Sequence, residues 1–466
     1  MSATEQDSNS RAIESLPPAY FLSLTVANFR CFGKEPQTLD LSDGNGKLAQ
    51  WTVLLGENGV GKTTLLQCLA GMQPVKVKNV QTLETEFLPS AIHYLSRFNF
   101  LFDRAGKADP KSPYIRNSET LFLSSNFAYG HPLSKLGSSF ITASFELDGD
   151  SLIRGFHKLP EDEDVSGLIC YGYGASRRSR QASLAKEIRE NPSDSLFDTS
   201  AELINVEEWL LQTNYATIIG KQEQKTHAKN RYAKIKNFLT GGILPDVSDF
   251  RFSTSDDTRM TPRVEAKTPY GWVRVSELSY GYKTALTWMV DFASRLFDRY
   301  PNSENPLAEP AVVLVDEIDL HLHPKWQRDL VQKLTETFPN TQFIVTAHSP
   351  LIVQAAPNAN LALLRREGDH VVIDNDVDEI RNWRVDQILT SDLFGLETAR
   401  PPQVAAVLEE RRRILSQQTL SNADRQRLAE LEKTVDDFPV GETPAELRAQ
   451  DALQRAVALL KRDSGK

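Results

Sequence analysis

Residues 56 to 63 read Gly56-Glu57-Asn58-Gly59-Val60-Gly61-Lys62-Thr63, preceded by the apolar run Trp51-Thr52-Val53-Leu54-Leu55 and followed by Thr64-Leu65-Leu66-Gln67-Cys68-Leu69. The spacing is that of a G-x-x-x-x-G-K-[ST] phosphate-binding loop, set between a strand and a helix as the motif requires. Gly56, Gly59 and Gly61 let successive backbone N–H groups turn toward one anion, which then sits at a helix N-terminus. Residues 56–64, with Glu57, Asn58 and Val60 in the variable positions and Thr64 entering the helix, are therefore the expected cradle for ATP. Lys62 is expected to reach the β- and γ-phosphates and Thr63 to ligate Mg2+. A glycine-rich turn matching by accident would lack this flanking context.

Far downstream, Ala311-Val312-Val313-Leu314-Val315 is a short continuous apolar segment that ends in Asp316-Glu317. Such a run suits a buried parallel strand. At its carboxyl end Asp316 is placed to hold Mg2+, and Glu317 to orient and deprotonate the water that attacks the γ-phosphate. An isolated Asp-Glu pair is usually a solvated one, and it gains meaning here from the loop upstream. A third apolar strand, Gln342 to Thr346, runs into Ala347-His348-Ser349-Pro350, which makes His348 a candidate γ-phosphate contact.

The segment Leu278-Ser279-Tyr280-Gly281-Tyr282 precedes a helical pattern from Lys283 to Val290, with Ser279 at the N-cap position. Alone it reads as an ordinary helix start. The order of loop, Leu-Ser-x-Gly segment, Asp-Glu and His resembles the ABC-type ATPases, including the SMC-like repair proteins and the OLD-like family. The resemblance implies an α/β P-loop NTPase of ABC-ATPase type in which Ser279 and Gly281 cap the γ-phosphate bound to the opposite subunit, so that a homodimer or higher oligomer shares its sites. Tyr280 and Tyr282 stand where the transporter-type motif has glycine and glutamine, which suits the OLD-like and SMC-like branch better. No glutamine is assigned to the Q-loop; Tyr171-Gly172-Tyr173-Gly174-Ala175-Ser176-Arg177 falls in that region and reads equally as a turn.

A narrower resemblance is carried by Val315 to Gln327 and Phe338 to Pro350, supported by Asn28-Phe29-Arg30-Cys31-Phe32, Tyr171 to Arg177 and Trp383 to Gly395. These look like the ATPase components of bacterial anti-phage systems such as Septu, its retron-associated relatives and PARIS. The likeness covers most of residues 19 to 400. It implies a sensor or scaffold that controls a partner effector, a nuclease encoded nearby, and it places Asp319 where related ATPases have their D-loop.

Composition narrows the alternatives. A formal net charge of −9 argues against coating nucleic acid through overall charge, so any such contact must be local. Cys31, Cys68 and Cys170 have neither metal-like nor disulfide-framework spacing, as expected in a reducing cytoplasm. No apolar stretch approaches the roughly 20 residues needed to cross a bilayer, which removes the membrane half of a transporter from this polypeptide.

The motifs divide the chain into a disordered tail over residues 1–18, the first half of the ATPase core over 19–72, a long α/β insertion with a helical subdomain over 73–270, the second half of the core over 271–375, and a helical appendage over 376–466. Strands are expected at Phe21 to Val26, Thr38 to Leu41 and Ser138 to Leu147, and a hairpin over Leu361 to Ile373 around Gly368-Asp369. Helices are expected at Val206 to Leu239 and at Lys325 to Phe338, where Trp326, Leu330, Leu334 and Phe338 recur at four-residue spacing. In the appendage, Val404 to Ser416, Ser421 to Val435 and a helix opened by the capping box Thr443-Pro444-Ala445-Glu446 read as a partner or self-assembly surface, or as a solvated hairpin.

Two basic clusters, Arg177-Arg178-Ser179-Arg180 and the lysines and arginine between Lys221 and Lys236, are candidates for nucleic-acid contact, although charge runs are usually solvated faces. His321 and His323 form an H-x-H without a third nearby ligand, which favours a structural role over a metal site. No paired-carboxylate or His-Asn-His nuclease constellation stands out. Three readings follow: an ATPase sensor controlling an effector in phage defence, an SMC- or OLD-like DNA-repair ATPase, and a peripheral transporter motor. The insertion is too irregular for the long heptad arm of a repair ATPase.

Overall fold

A computed structural model describes residues 18–43, 47–78, 85–89, 121–129, 137–148, 151–157, 168–180, 191–219, 221–254, 260–377, 383–396, 399–415 and 421–436. The expected tail before Pro18 and the helix expected from Thr443 lie outside these residues. The chain divides into two units, Met1–Ile388 and Leu389–Lys466.

Trp51–Gly56 (β3), Cys170–Tyr173 (β9), Ala311–Val315 (β15), Thr341–Thr346 (β16), Asn360–Glu367 (β17) and His370–Asp374 (β18) form a six-stranded sheet in the order β18-β17-β3-β16-β15-β9. Every pairing is parallel except the β17–β18 hairpin. β15 and β16 are buried along their whole lengths, and β3 in all but its last residue. Strands covered on both faces read as continuous apolar runs, which is why these three are visible in the sequence. The strand that carries the phosphate loop is not adjacent to the strand that carries Asp316; β16 lies between them, with Val345 opposite Val53 on one side and Val315 on the other.

Ala19–Ala27 (β1), Gln37–Asp40 (β2), Leu121–Tyr129 (β6), Gly137–Asp148 (β7) and Ser151–His157 (β8) form a second, antiparallel sheet in the order β2-β1-β6-β7-β8. The stretch expected as an insertion over 73–270 thus supplies strands to both sheets: β6 pairs with β1, and β9 closes the central sheet against β15. Tyr171 to Tyr173, legible as a turn, are strand. The partners of these strands are remote in the chain, and a remote pairing leaves no local periodicity to read. The same stretch holds the Pro74–Lys78 (β4) and Thr85–Pro89 (β5) pair, the short parallel pair Arg178–Ser179 (β10) and Glu202–Leu203 (β11), and a meander of Asp249–Thr254 (β12) and Pro262–Thr268 (β13) that Gly271–Arg274 (β14) completes.

Helix Lys62–Gly71 (α1) leaves the phosphate loop and is buried at every residue but Thr63. Its apolar residues Leu65, Leu66, Cys68, Leu69 and Ala70 are what place it inside the core. Leu65, Leu66 and Leu69 pack in one cluster with Phe21, Leu24 and Leu39 of the antiparallel sheet and with Leu54, Val312 and Ile344 of the central sheet. Helices Val206–Ile219 (α2), Gln222–Phe238 (α3), Tyr280–Arg299 (α4) and Pro324–Thr337 (α5) complete the unit with Pro350–Ala355 (α6). An aromatic series joins α3, α4 and the end of α5 to the sheet: Phe238 to Phe338 at 5.3 Å, Phe338 to Phe292 at 4.8 Å, Phe292 to Tyr171 at 5.2 Å, and Trp51 stacked on Phe343 at 4.3 Å. Trp326, Leu330, Leu334 and Phe338 are all buried, as their spacing requires.

Residues 376–388, expected with the appendage, count with the first unit, where Gln354 Nε2 donates to the carbonyl of Trp383 at 2.9 Å. The short helix Val385–Leu389 (α7) contains the division, which falls between Ile388 and Leu389. In the second unit, Pro402–Leu415 (α8) and Asn422–Asp436 (α9) are joined by a two-pronged bond from Arg427 to Glu410, at 2.8 and 2.9 Å, over buried Ile414 and Leu431. Among the described residues, no helix is long and apolar enough to cross a membrane.

Candidate functional site

β3 delivers its loop at the carboxyl edge of the central sheet, and Gly56, Gly59 and Gly61 take φ values of 136°, 83° and 90°. These are conformations that side chains other than glycine's resist. Gly61 is required a second time by space, since a Cβ there would stand 2.4 Å from Cys31 Sγ. Lys62 Nζ donates to the carbonyls of Gly56 at 2.7 Å and Glu57 at 2.8 Å, so the ammonium is held across the mouth of the loop. Burial lowers its pKa, while the carboxylates of Asp316, Glu317 and Asp319 act the other way.

The loop and the Asp-Glu turn meet through hydroxyls. Thr63 Oγ1 donates to Asp316 Oδ2 at 2.8 Å, and Thr346 Oγ1, at the end of the intervening strand, donates to Asp316 Oδ1 at 2.7 Å. The same Thr346 oxygen accepts from Glu317 N at 2.7 Å. Glu317 sits at φ 49°, a left-handed conformation that costs a non-glycine residue about 1–3 kcal/mol and persists only where the surroundings impose it. Arg177 supplies part of that imposition: its Nη2 donates to the backbone carbonyls of both Asp316 and Glu317. On the far side, the carboxylate of Asp319 accepts from His348 N at 3.1 and 3.3 Å.

A cavity of about 640 Å³ at this junction brings together Asn58, Gly59, Gly61, Lys62, Thr63, Thr64, Asp316, Glu317 and His348. Gly56 and Glu57 contribute through the carbonyls that hold Lys62, and Val60 is buried. Ser279 and Gly281 do not line it. Ser279 is the N-cap residue of α4 by position but makes no side-chain cap bond, and Tyr280 beside it is 60% exposed. Gly281 approaches the carbonyl of His321, where a Cβ would be only 2.3 Å from the oxygen.

The donor set suits Mg2+. Thr63 and Asp316 present hard oxygens 2.8 Å apart at the phosphate end of the loop, and Mg2+ takes one or two protein oxygens besides phosphate and water. His323 instead caps α5, its Nδ1 accepting from Lys325 N at 3.2 Å, and the His321 ring packs edge-on to Tyr280.

Four residues of the site carry no motif that assigns them a place. Arg30 and Cys31 line the cavity, Arg30 donating to Thr64 Oγ1 at 3.0 Å and to Gln67 Oε1 at 2.7 Å; Thr346 and Arg177 anchor the acids. The sequence signals are the Asn28 to Phe32 segment for Arg30 and Cys31 and the Tyr171 to Arg177 segment for Arg177.

Several members of the two basic clusters have partners within the protein. Arg177 is buried against the Asp-Glu turn, and Arg180 pairs with Glu202. On α3, Arg231 pairs with Asp298 and Lys236 with Asp249, both at short range, while Lys234 donates to Asn305. Neither cluster is an uninterrupted basic surface.

Comparison with known proteins agrees with this geometry. Residues 241–354 match the family described as "AAA domain, putative AbiEii toxin, Type IV TA system", and residues 23–72 match an AAA domain family. The retron Vc95 probable ATPase of Vibrio cholerae serotype O1 biovar El Tor is 47% identical over 355 residues, 67% of this chain and 68% of that protein. The chain belongs to this retron ATPase family. As in other ABC-type members of the P-loop class, its phosphate loop, Leu-Ser-x-Gly segment, Asp-Glu turn and histidine follow in that order. The Septu protein PtuA of Bacillus mycoides (strain KBAB4) is 25% identical over 366 residues, and the match covers 78% of this chain but only 43% of that protein. Beside them, the solved Smc head bound to the C-winged helix domain of ScpA matches at 14% identity with a TM-score of 0.40, covering 76% of this chain and 97% of that one. At that distance, sheet order and motifs define the fold of this chain, not the match.

Proposed function

We propose that this retron ATPase binds and hydrolyses ATP at sites shared between two copies of the chain, and uses the cycle to control a partner effector, a nuclease, in anti-phage defence. The observation that carries the reading is the single cavity in which Lys62, Thr63, Asp316, Glu317 and His348 converge. Glycine N–H groups and Lys62 bind the triphosphate and neutralise its charge. Thr63 and Asp316 hold Mg2+, which supplies charge stabilisation on the phosphate oxygens when bound. Glu317, set apart from the pinned Asp316 by its own backbone conformation, takes the proton of the attacking water, and His348, which lines the same cavity, contacts the γ-phosphate. Ser279 and Gly281, outside their own cavity, act on the site of the second copy.

The defence role is taken from the retron and Septu relatives, and the second unit is read as the surface for self-assembly or for the effector. The deciding experiment is co-purification with the product of the neighbouring gene, with phage plaque counts for the wild type and Glu317→Gln. Deleting residues 404–466 is expected to weaken effector binding or oligomerisation while sparing nucleotide binding. A chain that purifies alone, gives no protection and gains ATPase rate several-fold on duplex DNA would instead be a repair ATPase.

A further inference from the structure

The guanidinium of Arg177 occupies an unusual place. It is 4% exposed, it follows the end of β9 at φ 35°, and it lies 6.0 Å from the ring of Trp288 on α4. Its hydrogen bonds run from Nη2 to the carbonyls of Asp316 and Glu317, the latter at 2.7 Å, while Nε is buried without a partner. An arginine retained for stability alone would be a poor choice, because a buried, half-satisfied guanidinium is often no more stabilising than an apolar side chain of the same volume. What it does is bring two consecutive carbonyls onto one donor. That convergence fixes the peptide planes on either side of Glu317 and holds its backbone in the left-handed conformation, from which the carboxylate reaches the nucleotide cavity.

We infer that Arg177 is a positioning residue for hydrolysis: it holds the Asp316–Glu317 turn so that the Glu317 carboxylate faces the attacking water, without itself touching nucleotide. The inference rests on the reading of Glu317 as the base. Burial pushes the Arg177 pKa down to about 10, with Asp316, Asp319 and Glu317 favouring the charge, so the group remains a cation at neutral pH. Once the anchor is removed, the turn relaxes toward an ordinary conformation and the carboxylate moves. Misplacement of a reacting group by about 1 Å costs on the order of a hundredfold in rate.

The test compares wild type, Arg177→Met, Arg177→Lys, Glu317→Gln and the Arg177→Met/Glu317→Gln double variant of the full chain, reading ATP affinity with a fluorescent analogue, kcat by phosphate release, and urea stability. Arg177→Met is expected to keep ATP affinity within about threefold and lose kcat by on the order of a hundredfold, with Arg177→Lys recovering part of it. Because the arginine acts through Glu317, the double variant is expected to be no slower than Glu317→Gln alone. Unchanged kcat in Arg177→Met, a loss of affinity equal to the loss of kcat, or a double variant slower by the full product overturns the inference while leaving the Glu317 reading intact. Glu317→Gln turning over at the parental rate overturns both. If Arg177→Met does not fold, Arg177→Lys decides: its shorter, non-planar side chain cannot bring a nitrogen to the Nη2 position that serves both carbonyls, and a parental kcat sinks the proposal.

Discussion

The hydroxyl of Thr346 donates to Asp316 Oδ1 at 2.7 Å and, in the same geometry, accepts from the backbone of the next residue, Glu317. One side chain on the intervening strand therefore fixes both acids. Thr346→Val keeps the shape and removes both bonds, leaving a carboxylate oxygen and an N–H buried without this partner. The expected cost is about 1–3 kcal/mol of stability, together with a kcat reduced about tenfold. Urea unfolding and steady-state phosphate release on the same preparation check it; an unchanged kcat would show that Thr63 and Arg177 hold the turn without help.

Lys62→Ala is expected to abolish ATP binding, whereas Glu317→Gln should keep affinity and trap the bound state. The difference arises because Lys62 acts on ground-state phosphate charge and Glu317 on the attacking water. Equilibrium binding set beside single-turnover hydrolysis separates them, and a Gln variant with the parental rate would remove Glu317 as the base.

Chelation of Mg2+ is expected to bring hydrolysis to background and its return to restore it. Thr63→Val should shift the Mg2+ dependence of the rate to higher concentration, since one of the two hard donors is lost. A Thr63→Val titration that overlays the wild type would place the ion elsewhere.

Ser279→Arg is expected to leave folding and ATP binding intact and stop hydrolysis. Mixed with Lys62→Ala chains it should regain activity, because a dimer of one chain of each kind retains one site with its own Lys62 and the other chain's Ser279. No recovery at any mixing ratio would count against shared sites.

Gly281→Ala should be costly even in an isolated chain. Its Cβ would meet the His321 carbonyl at 2.3 Å, and backbone cannot yield as a side-chain tip can. A loss of about 1–3 kcal/mol is expected from overpacking. If stability were unchanged and only turnover fell, the glycine would be serving the second copy alone.

How much of this is legible in the sequence depends on how local each relationship is. The cradle from Gly56 to Thr64 is readable because loop, strand and helix are contiguous, and the Trp326 to Phe338 stripe because a helix repeats on itself. Arg177 reads as part of a surface basic cluster, since nothing near it in the chain announces that it will be buried under residues 316 and 317. Thr346 is an inconspicuous strand end until β16 is placed between β3 and β15. Strands β6 to β8 appear as an insertion for the same reason: β6 joins them to the sheet by pairing with β1, which lies on the other side of the phosphate loop.

The position of β3 bears on how the protein comes into being. Both of its neighbours, β16 and β17, begin beyond residue 340, so a ribosome must synthesise most of the chain before the strand under the phosphate loop has either flank to pair with. Such distant pairing makes for slow, late closure. The frame that shapes the phosphate loop is thus complete only when the segments 341–346 and 360–367 have joined a strand made about 300 residues earlier.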